Sequence, residues 1–600
     1  MANALKGWQA AAESIRWRQP WETLYEPGER GGHWFPGATL NAAENCVDRH
    51  LPALAEKVAL HWEGEPGDRR AITYRDLHGD VSALADALSD LGVGAGDRVA
   101  IYMGLLPETV VTMLACARIG AVHALMAAAL PADALADRLA DFEPKVLVTQ
   151  DGAWRHGVIL PLKARADEAI PAAAGVDHTI VVRRIGIDVA LYEGDRWYDE
   201  LLAEQLSRSQ TPAATEAPDF PADHPLLTVY IADRRGQPTG IVHGTGGFLT
   251  YAAAFHVGGF SLDPEDVLWC ATEIAWITSQ SHAIYGALAC GGTTVIYEGM
   301  LDTPTHGRAW DVIERYGVTT FATTVSVLRN LRQWTDSPPR EGQLDSIREV
   351  VTAGEPTDPE LQAWLRAQLP AGAIIADGWG QTELGGGVFF TGGRPEALPP
   401  AGLDVVDAAG RSVGVGVEGE LVMRSPWPAT FIGTQTANPD ADAHWERYPD
   451  AYATGDRAIL EPDGSYVFLG RIDPVVTVSG QLVSLTEVRD ALLEHPFVID
   501  AEIVEQTAVR AGQALAACVV LGPSVSGSAA LAHALRAHVR ERLGGLAQPR
   551  TVAFVEEFPA DMPRDLLRYA LRVLCAAQPA GTCTISTAEL GGAAPNAAAS

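Results

Sequence analysis

The chain has 600 residues, of which 47% are apolar and 20% charged, and its formal net charge is -32. One hydrophobic core rarely serves so long a chain, so length and composition predict a globular protein of two or more domains. The strong negative charge excludes a protein whose main partner is a nucleic acid, because phosphate contacts need surfaces rich in lysine and arginine.

The cysteines and the apolar stretches bear on the compartment. Seven cysteines are scattered without metal-ligand spacing or a disulfide framework, which favours reduced thiols and a cytoplasmic protein. The start of the chain lacks the uninterrupted apolar core of a signal peptide. The most membrane-like stretch, residues 110–130, contains Arg118 and His123. We interpret it as a buried helix followed by a strand, and we expect no membrane association.

Much of the first 470 residues alternates short apolar runs with amphipathic stretches. The run RVAIYM at 98–103 is typical of a buried strand, and ETVVTMLACARIGA at 108–121 is typical of the helix that follows it. Further strands are predicted at 145–149 and 178–182. This alternation predicts an α/β fold with mostly parallel sheets covered by helices.

The pattern changes in the last third of the chain. Short β-rich runs between 402 and 470 are separated by Gly, Pro and Asp-Gly turns, which predicts a small β-subdomain. After Arg471 an α+β pattern of about a hundred residues predicts a separate small domain. We therefore predict an N-terminal domain at 1–471, a C-terminal lid domain at 472–578 and a tail at 579–600.

Several motifs, in the same order, resemble those of acetyl-CoA synthetases. They include WFPGATLNAAENCVDRHL (34–51), GDRVAIYMGLLPE (96–108), DGWGQTELGG (377–386), YATGD (452–456) and GRIDPVVTVSGQLVSLTEV (470–488). The resemblance covers essentially the whole chain. It implies the fold of the adenylate-forming acyl-CoA synthetases, with a large N-terminal body and a small C-terminal domain that rotates about a hinge, here Asp473. Enzymes of that family join a carboxylate to ATP, release pyrophosphate, and then transfer the acyl group to CoA.

The resemblance implies a nucleotide pocket whose residues are mostly kept. The matching cofactor-binding positions are Gly354, Glu355, Pro356, Asp377, Trp379, Gln381, Thr382, Asp456 and Arg471. Asp456 matches the carboxylate that binds the ribose hydroxyls. Glu383 matches the Mg²⁺ ligand, a metal that is expected only with a phosphate ligand. These residues favour binding of an adenosine nucleotide, and the alternative is that they are inherited turn and strand residues of an empty pocket.

The segment that resembles the family's phosphate loop departs from it. The family reads Tyr-Thr-Ser-Gly-Ser/Thr-Thr-Gly-x-Pro-Lys-Gly, whose glycines, hydroxyls and lysine surround the phosphates. Here Asp233 replaces the first glycine and Thr239 replaces the lysine. A carboxylate in contact with a triphosphate is repelled by about 4 kcal/mol at an effective dielectric of about 20. We therefore expect loss of ordinary ATP binding, with Arg234 and Arg235 either compensating in part or solvated.

Two further cationic positions of the family differ in the C-terminal region. Asp565 stands where the family has the lysine that bridges the acyl carboxylate and the α-phosphate during adenylation. Leu482 replaces an arginine of the family's Ser-Gly-His-Arg motif. Together with the phosphate segment, these changes predict an altered reaction.

The resemblance places the acyl pocket at Ile277, Thr278, Ala353 and Gly380. Gly380 stands where acetyl-specific members carry a tryptophan, and Ala353 replaces a valine. The sequence therefore predicts a pocket larger than acetate needs, unless another side chain fills the gap.

The CoA side is only partly kept. Arg155 and Arg540 fall where the family contacts the 3′-phosphate ADP of CoA, and Ser479 and Gly480 match the loop near the thiol tunnel. Against this, residues 127–129 are Ala-Ala-Ala where the family has Phe-Gly-Gly, and the added Cβ atoms crowd that passage.

Three hypotheses for the function stay open. The favoured one is an enzyme that uses the cleft for acyl-group or CoA-thioester chemistry without ATP-dependent adenylation, with Asp565, Asp233 or His243 as general acid or base. His282 is a further candidate base. The second is a pseudoenzyme or binding partner, and the third is an unusual ATP-dependent acyl-CoA ligase with an enlarged acyl pocket. The expected partner is a small acyl substrate or thioester, and the sequence does not give the oligomeric state.

Overall fold

The computed structural model describes residues 2–590 apart from short gaps. The gaps are 174, 209–215, 234–236, 355–356, 392–397, 449, 473–474, 479–480, 509–511, 523–524, 560–563, 577–580 and 588.

The first large sheet of the body is parallel over most of its width. In spatial order its described strands are Asp195–Trp197, His178–Val182, Val146–Gln150, Arg98–Met103, Val122–Ala127, Pro225–Ala232, Pro238–Gly244 and Gly433–Thr434. Pairing is parallel as far as Pro225–Ala232 and antiparallel beyond it. Its central strands are continuous apolar runs because both of their faces are buried.

The second large sheet has the same character and an antiparallel strand at each edge. In spatial order its described strands are Gly386–Thr391, Ile374–Gln381, Glu349–Ala353, Thr320–Thr324, Val267–Cys270, Thr293–Glu298, Val58–Gly64 and Arg69–Thr73. The inner pairs are parallel. The two outermost pairs are antiparallel.

Helices connect the strands of the body and cover its sheets. The described α-helices of the body are Ala2–Ala12, Ala42–Cys46, Leu51–Leu54, Tyr74–Asp90, Pro107–Ile119, Ala132–Phe142, Leu162–Ala169, Tyr198–Arg208, Thr245–Ala254, Ala287–Ala289, Arg308–Tyr316, Val325–Gln333, Pro359–Gln368 and Pro439–Glu446. Two segments, Phe255–Gly259 and Ser279–Gly286, are π-helical. Individual residues set the helix ends. Thr73 and Asp76 form a capping box at the start of Tyr74–Asp90. Gly120, at a φ of 73°, ends the helix Pro107–Ile119.

A small antiparallel sheet is formed by residues between 403 and 471. Its described strands are Leu403–Val406, Glu418–Met423, Tyr452–Leu460 and Tyr466–Arg471. The register of the last pair sets Asp456 opposite Arg471. The β-subdomain predicted at 402–470 is thus present.

The C-terminal region forms its own layers of helix and sheet. It begins with a hairpin of Val475–Val478 and Gln481–Ser484. A sheet follows, with described strands Val498–Ala508, Gly512–Leu521, Thr551–Val555 and Thr582–Ile585. Its helices are Leu485–Leu493, Ala529–Leu543 and Arg564–Ala576. The strand Thr582–Ile585 lies within the segment predicted as a tail, and it pairs in parallel with Thr551–Val555.

The fold class is the predicted one, α/β with a large N-terminal body and a smaller C-terminal domain. The strands expected at 98–103 and 178–182 are formed at those residues. The stretch interpreted as a buried helix and strand is Pro107–Ile119 followed by Val122–Ala127. No described helix has both the length and the apolar character needed to cross a bilayer. The domain boundaries stay predictions.

Candidate active site

A cleft of about 1650 Å³ lies between the large sheets, the small sheet and the C-terminal region. Most positions that the sequence assigned to the nucleotide, the acyl group and CoA line it. They are Gly354, Asp377, Trp379, Gln381, Thr382, Glu383, Asp456, Arg471, Arg155, Arg540, Ile277, Thr278, Ala353 and Gly380. Glu355 and Pro356 lie outside the described residues. Because residues from distant parts of the chain converge here, the cleft is the candidate active site.

The carboxylate of Asp456 is the centre of a hydrogen-bond network in the cleft. Its Oδ2 accepts hydrogen bonds from Trp379 Nε1 and Gln381 Nε2, each at 3.0 Å. Arg471 lies opposite on the next strand, with Nη1 3.8 Å from Asp456 Oδ1. Tyr452 donates to Gln381 Oε1 at 3.2 Å. The network fixes the position of a carboxylate whose two oxygens suit a vicinal diol.

Asp377 holds the loop beside the nucleotide positions. Its Oδ1 accepts a hydrogen bond from the hydroxyl of Thr352 at 2.8 Å, and its Oδ2 accepts one from the backbone N–H of Thr357 at 2.8 Å. The strand Glu349–Ala353 ends at this loop, and Gly354, at a φ of 95°, turns the chain into it. The geometry therefore makes Asp377 a positioning residue for the segment that follows Ala353.

Glu383 is the side chain that the sequence assigned to Mg²⁺. It is almost fully buried, and its Oε1 lies 3.8 Å from Nε2 of His444. Among the described residues there is no group of three or more His, Cys, Asp or Glu side chains that could hold a metal ion. Mg²⁺ is commonly held by one or two carboxylates together with substrate phosphates. A single carboxylate at Glu383 therefore fits an ion that arrives with a nucleotide.

The wall assigned to the acyl group differs from the expectation at Gly380. Ile277, Thr278 and Ala353 line the same cleft as Gly380. A Cβ built on Gly380 would lie 2.0 Å from the carbonyl oxygen of Gly386 on the neighbouring strand. The backbone of that strand occupies the space, so the enlargement predicted beside Gly380 is wrong.

Sequence reasoning missed an aromatic group behind this wall. Phe255, Phe260 and Phe390 line the cleft together with His282. The His282 ring stacks on Phe255 with ring centroids 3.8 Å apart. Burial lowers the pKa of His282 to about 3, so the imidazole is neutral. The only signal in the sequence was a run of apolar and aromatic residues after 245, which is equally typical of an ordinary buried helix.

His243, a candidate base from the sequence, lies outside the described lining of the cleft. It is fully buried on the strand Pro238–Gly244, with Nδ1 3.1 Å from the carbonyl oxygen of Ala429. Burial lowers its pKa to about 4. The geometry is that of a neutral histidine packed in the core.

Asp233, the second candidate, is engaged in its own turn. Its Oδ1 accepts the backbone N–H of Gln237 at 2.8 Å, and its Oδ2 accepts Asn438 Nδ2 at 3.3 Å. Asn438 also donates to the hydroxyl of Thr239 at 2.7 Å. Both replaced positions of the phosphate segment are thus tied to one asparagine, and the carboxylate is held by the loop. Residues 234–236 between them lie outside the described part.

Asp565, the third candidate, lies near the start of the helix Arg564–Ala576, and its side chain is outside the described residues. The later part of that helix packs behind the C-terminal sheet, where Leu571 and Cys575 join the cluster of Cys518. No described residue of the helix lines the cleft. The side chain of Leu482 and residues Ser479 and Gly480 are likewise outside the description.

Arginines surround the part of the cleft assigned to CoA. Arg155 lies with Nη1 3.9 Å from Glu273 Oε2, and Arg540 is exposed on the helix Ala529–Leu543. The cleft is also lined by Arg138 and Arg165, which the sequence did not single out. Acidic side chains, among them Glu273 and Glu487, line the same cleft. The guanidinium groups are the side chains there that suit a phosphate-bearing ligand.

Comparison with known proteins gives the family. The AMP-binding enzyme model matches residues 47–431, which is more than half of the chain. The protein belongs to the AMP-binding enzyme family. The AMP-binding enzyme C-terminal domain model matches residues 487–561, and the acetyl-coenzyme A synthetase N-terminus model matches residues 3–46.

Curated relatives of this AMP-binding enzyme are similar along nearly their whole length. It is 41% identical to acetyl-coenzyme A synthetase of Streptomyces coelicolor over 587 residues, which is 95% of this chain and 89% of the relative. It is 40% identical to acetyl-coenzyme A synthetase of Streptomyces avermitilis, over 98% of this chain and 91% of the relative. It is 36% identical to acetyl-coenzyme A synthetase of Methanothrix thermoacetophila, over 96% of this chain and 90% of the relative.

These relatives correct the function expected from the sequence. At about 40% identity over nearly the full length, they point to an ordinary ligase of the AMP-binding family. The prediction of an enzyme without ATP-dependent adenylation is therefore wrong, as are its alternatives of a pseudoenzyme and of an unusual ligase with an enlarged pocket. That prediction took Asp233 as a charge facing the phosphates, whereas its carboxylate is bonded to Gln237 and Asn438.

Proposed function

We propose that the protein is an ATP-dependent ligase that joins a short carboxylate, acetate in the first place, to CoA. The observation that supports it most directly is the network in which Trp379 and Gln381 donate to Asp456 inside the cleft. The residues that we assign to the nucleotide line the same cleft as the apolar side chains and arginines that we assign to the acyl group and CoA. The names of the relatives are the second line of support.

Asp456 binds the ribose hydroxyls in this proposal. Its carboxylate is already oriented by two donors, so little reorganisation accompanies binding. Asp377 keeps the loop of Gly354 in place beside the base, and Trp379 holds the floor of the site by stacking on Phe468, with centroids 5.6 Å apart and planes at 6°.

The reaction has two steps. The substrate carboxylate attacks the α-phosphorus of ATP, the bond to the β-phosphate oxygen breaks, and pyrophosphate leaves. The CoA thiol loses its proton to water, the thiolate then attacks the acyl carbon of the adenylate, and the bond from that carbon to the phosphate oxygen breaks as AMP leaves. Both steps use the same apolar wall of Ile277 and Thr278, which shields the adenylate from hydrolysis by water.

Arg471 supplies positive charge at the phosphates. Thr239 does not supply it, because a hydroxyl has replaced the family's lysine. Glu383 would hold a Mg²⁺ that arrives with the nucleotide, and that ion would add positive charge beside the phosphoryl oxygens. Arg155 and Arg540 take the phosphate groups of CoA at the rim of the cleft.

The proposal is tested by incubating the protein with ATP, Mg²⁺, acetate and CoA and measuring acetyl-CoA and AMP by liquid chromatography. We expect equal amounts of both. Asp456→Asn keeps the shape and removes the charge, so the KM for ATP should rise about 10- to 100-fold, since a hydrogen bond to a charged group contributes roughly 1.5–3 kcal/mol.

Asp404→Asn is the matched control. Asp404 lies on the same small sheet, away from the described lining of the cleft, and accepts hydrogen bonds from Ser412 and Arg424. This variant should keep the wild-type KM for ATP. Absence of acetyl-CoA from the wild-type protein, or an equal effect of both variants, would overturn the proposal.

A further inference from the structure

The space next to Gly380 is closed by backbone and not by a side chain at that position. A Cβ on Gly380 would lie 2.0 Å from the oxygen and 2.6 Å from the carbonyl carbon of Gly386, and 2.6 Å from Cα of Gly387. The two strands pair with a bulge at this point, between Trp379 and Gly380. The close approach needs glycine on both strands, so no side chain at 380 can end the acyl pocket.

Two phenylalanines lie directly behind these glycines. A Cβ on Gly387 would meet Cε2 of Phe255 at 2.7 Å and Cζ of Phe390 at 3.3 Å. A Cβ on Gly378 would meet Cε1 of Phe390 at 2.8 Å. The rings therefore reach the backbone of both strands of the hairpin. Ala353 pairs with Gly378 on the next strand. Ile277 accepts a hydrogen bond from the hydroxyl of Ser281, which lies 3.2 Å from the position of a Cβ on Gly386.

The two rings are held firmly. Phe255 lies in the π-helical turn at the end of Thr245–Ala254, is 1% exposed, and stacks on His282. Phe260 meets it edge to face with centroids 4.9 Å apart. Phe390 lies 5.2 Å from Phe255, centroid to centroid. Such packing leaves little room for either ring to turn away from a ligand.

We propose that Phe255 and Phe390 close the acyl pocket and restrict it to short, unbranched acyl groups. The inference rests on the proposed function, because it takes the wall of Ile277 and Ala353 as the acyl site. The aromatic edge accepts a methyl or ethyl group and leaves no room for a longer chain. The two rings thus determine specificity in the place of a bulky residue at 380.

The consequence is a defined chain-length profile. One methylene too many in an apolar pocket costs about 10- to 200-fold in kcat/KM. The wild-type protein should therefore use acetate and propionate, and its kcat/KM should fall by at least about 100-fold at hexanoate.

The experiment compares kcat/KM for acetate, butyrate and hexanoate in the wild-type protein and in Phe255→Leu, Phe255→Ala and Phe390→Ala. Removing a ring should raise the ratio of kcat/KM for hexanoate to kcat/KM for acetate at least about 10-fold, with the change mainly in the KM for the acid. The leucine variant keeps most of the volume, so it provides a folded protein if the alanine variant at 255 does not fold.

Phe389→Ala is the matched control. Phe389 is on the same strand as Phe390 and faces the other way, edge to face with Tyr466 at 5.2 Å. Its removal should leave the chain-length ratio unchanged. A wild-type protein that uses hexanoate as well as acetate, or an equal shift in Phe389→Ala, overturns the inference.

A binding measurement separates this inference from the proposed function. The propyl and hexyl esters of AMP imitate acyl-adenylates of two lengths and do not react. By calorimetry the wild-type protein should bind the propyl ester at least about 10-fold more tightly, and Phe390→Ala should reduce that preference. This holds even if no acyl-CoA is formed, whereas equal binding of both esters by the wild-type protein contradicts the inference alone.

Discussion

Trp379 and Gln381, two positions apart on one strand, both donate to Asp456 on another sheet. The two sequence motifs that contain them were sufficient to predict that all three share one site, and all three line the same cleft. The hydrogen bonds among them could not be predicted, since they depend on how the small sheet lies against the large one. Phe255 and Phe390 are the opposite case, because apolar residues carry no motif that separates a wall from a core.

Glu298 is a buried carboxyl at the cleft that the reaction does not use. It is 2% exposed, and burial raises its pKa to about 7, against the opposing effect of Arg184. Arg184 Nε donates to Glu298 Oε2 at 2.7 Å, and the same guanidinium binds Asp68. The other carboxyl oxygen of Glu298, Oε1, has no hydrogen-bond partner among the described residues.

The titration of Glu298 predicts a pH-dependent stability. The folded state holds the proton up to about pH 7 and the unfolded state loses it near 4.5, so stability falls as the pH rises from 4.5 through 7. Glu298→Gln keeps an acceptor for Arg184 and removes the charge. Between pH 5.5 and 8 the free energy of unfolding of the wild-type protein should fall by about 2 kcal/mol more than that of this variant.

Calorimetric unfolding at several pH values measures the effect of Glu298→Gln. The variant should show the smaller drop in Tm between pH 5.5 and 8. Glu418→Gln, at an exposed pair with Arg457, should follow the wild-type curve. Parallel curves for the wild-type protein and Glu298→Gln would contradict the assignment.

At the scale of elements, the hairpin of Ile374–Gln381 and Gly386–Thr391 lines the part of the cleft that we assign to the acyl group. The sequence predicted the larger pattern of alternating strands and helices, because buried parallel strands are continuous apolar runs. It did not predict the bulge at Gly380, since bulges arise from pairing between strands and leave no periodic signal. The expectation of an empty space at this glycine failed for that reason.

Gly380→Ala tests the close approach of the two strands. The added Cβ would overlap the oxygen of Gly386, so we expect a loss of about 1–3 kcal/mol, seen as a lower Tm, and weaker acetate binding. Gly433→Ala is the control, because a Cβ there meets nothing within 4 Å. Its Tm should change no more than after an ordinary surface substitution. A stable Gly380→Ala protein with unchanged kinetics would show that the space is open.

At the scale of the whole molecule, the C-terminal region presents one particular face to the cleft. Val476, Val483, Glu487 and Arg540 line it, whereas the described part of the helix Arg564–Ala576 packs behind the sheet. Burial raises the pKa of Glu487 to about 7, with Arg138 of the body opposing the shift.

The function was misjudged from the sequence because single residues were considered without their tertiary contacts. Asp233, Thr239 and Asp565 were compared with a family pattern one at a time, as if each faced the phosphates. Asp233 lies in a turn and Thr239 on the strand that follows it, and Asn438 is hydrogen-bonded to both. No described residue of the helix that carries Asp565 lines the cleft. A sequence motif gives the identity of a residue, whereas its contacts depend on tertiary and domain geometry.

The retained first half-reaction is the central claim, and acetate-dependent exchange of labelled pyrophosphate into ATP, without CoA, tests it most directly. This measurement isolates adenylation from thioester formation. We expect exchange that requires acetate and Mg²⁺, and that falls sharply in Asp456→Asn but not in Asp404→Asn. A folded wild-type protein that shows no exchange with acetate, propionate or butyrate would contradict it.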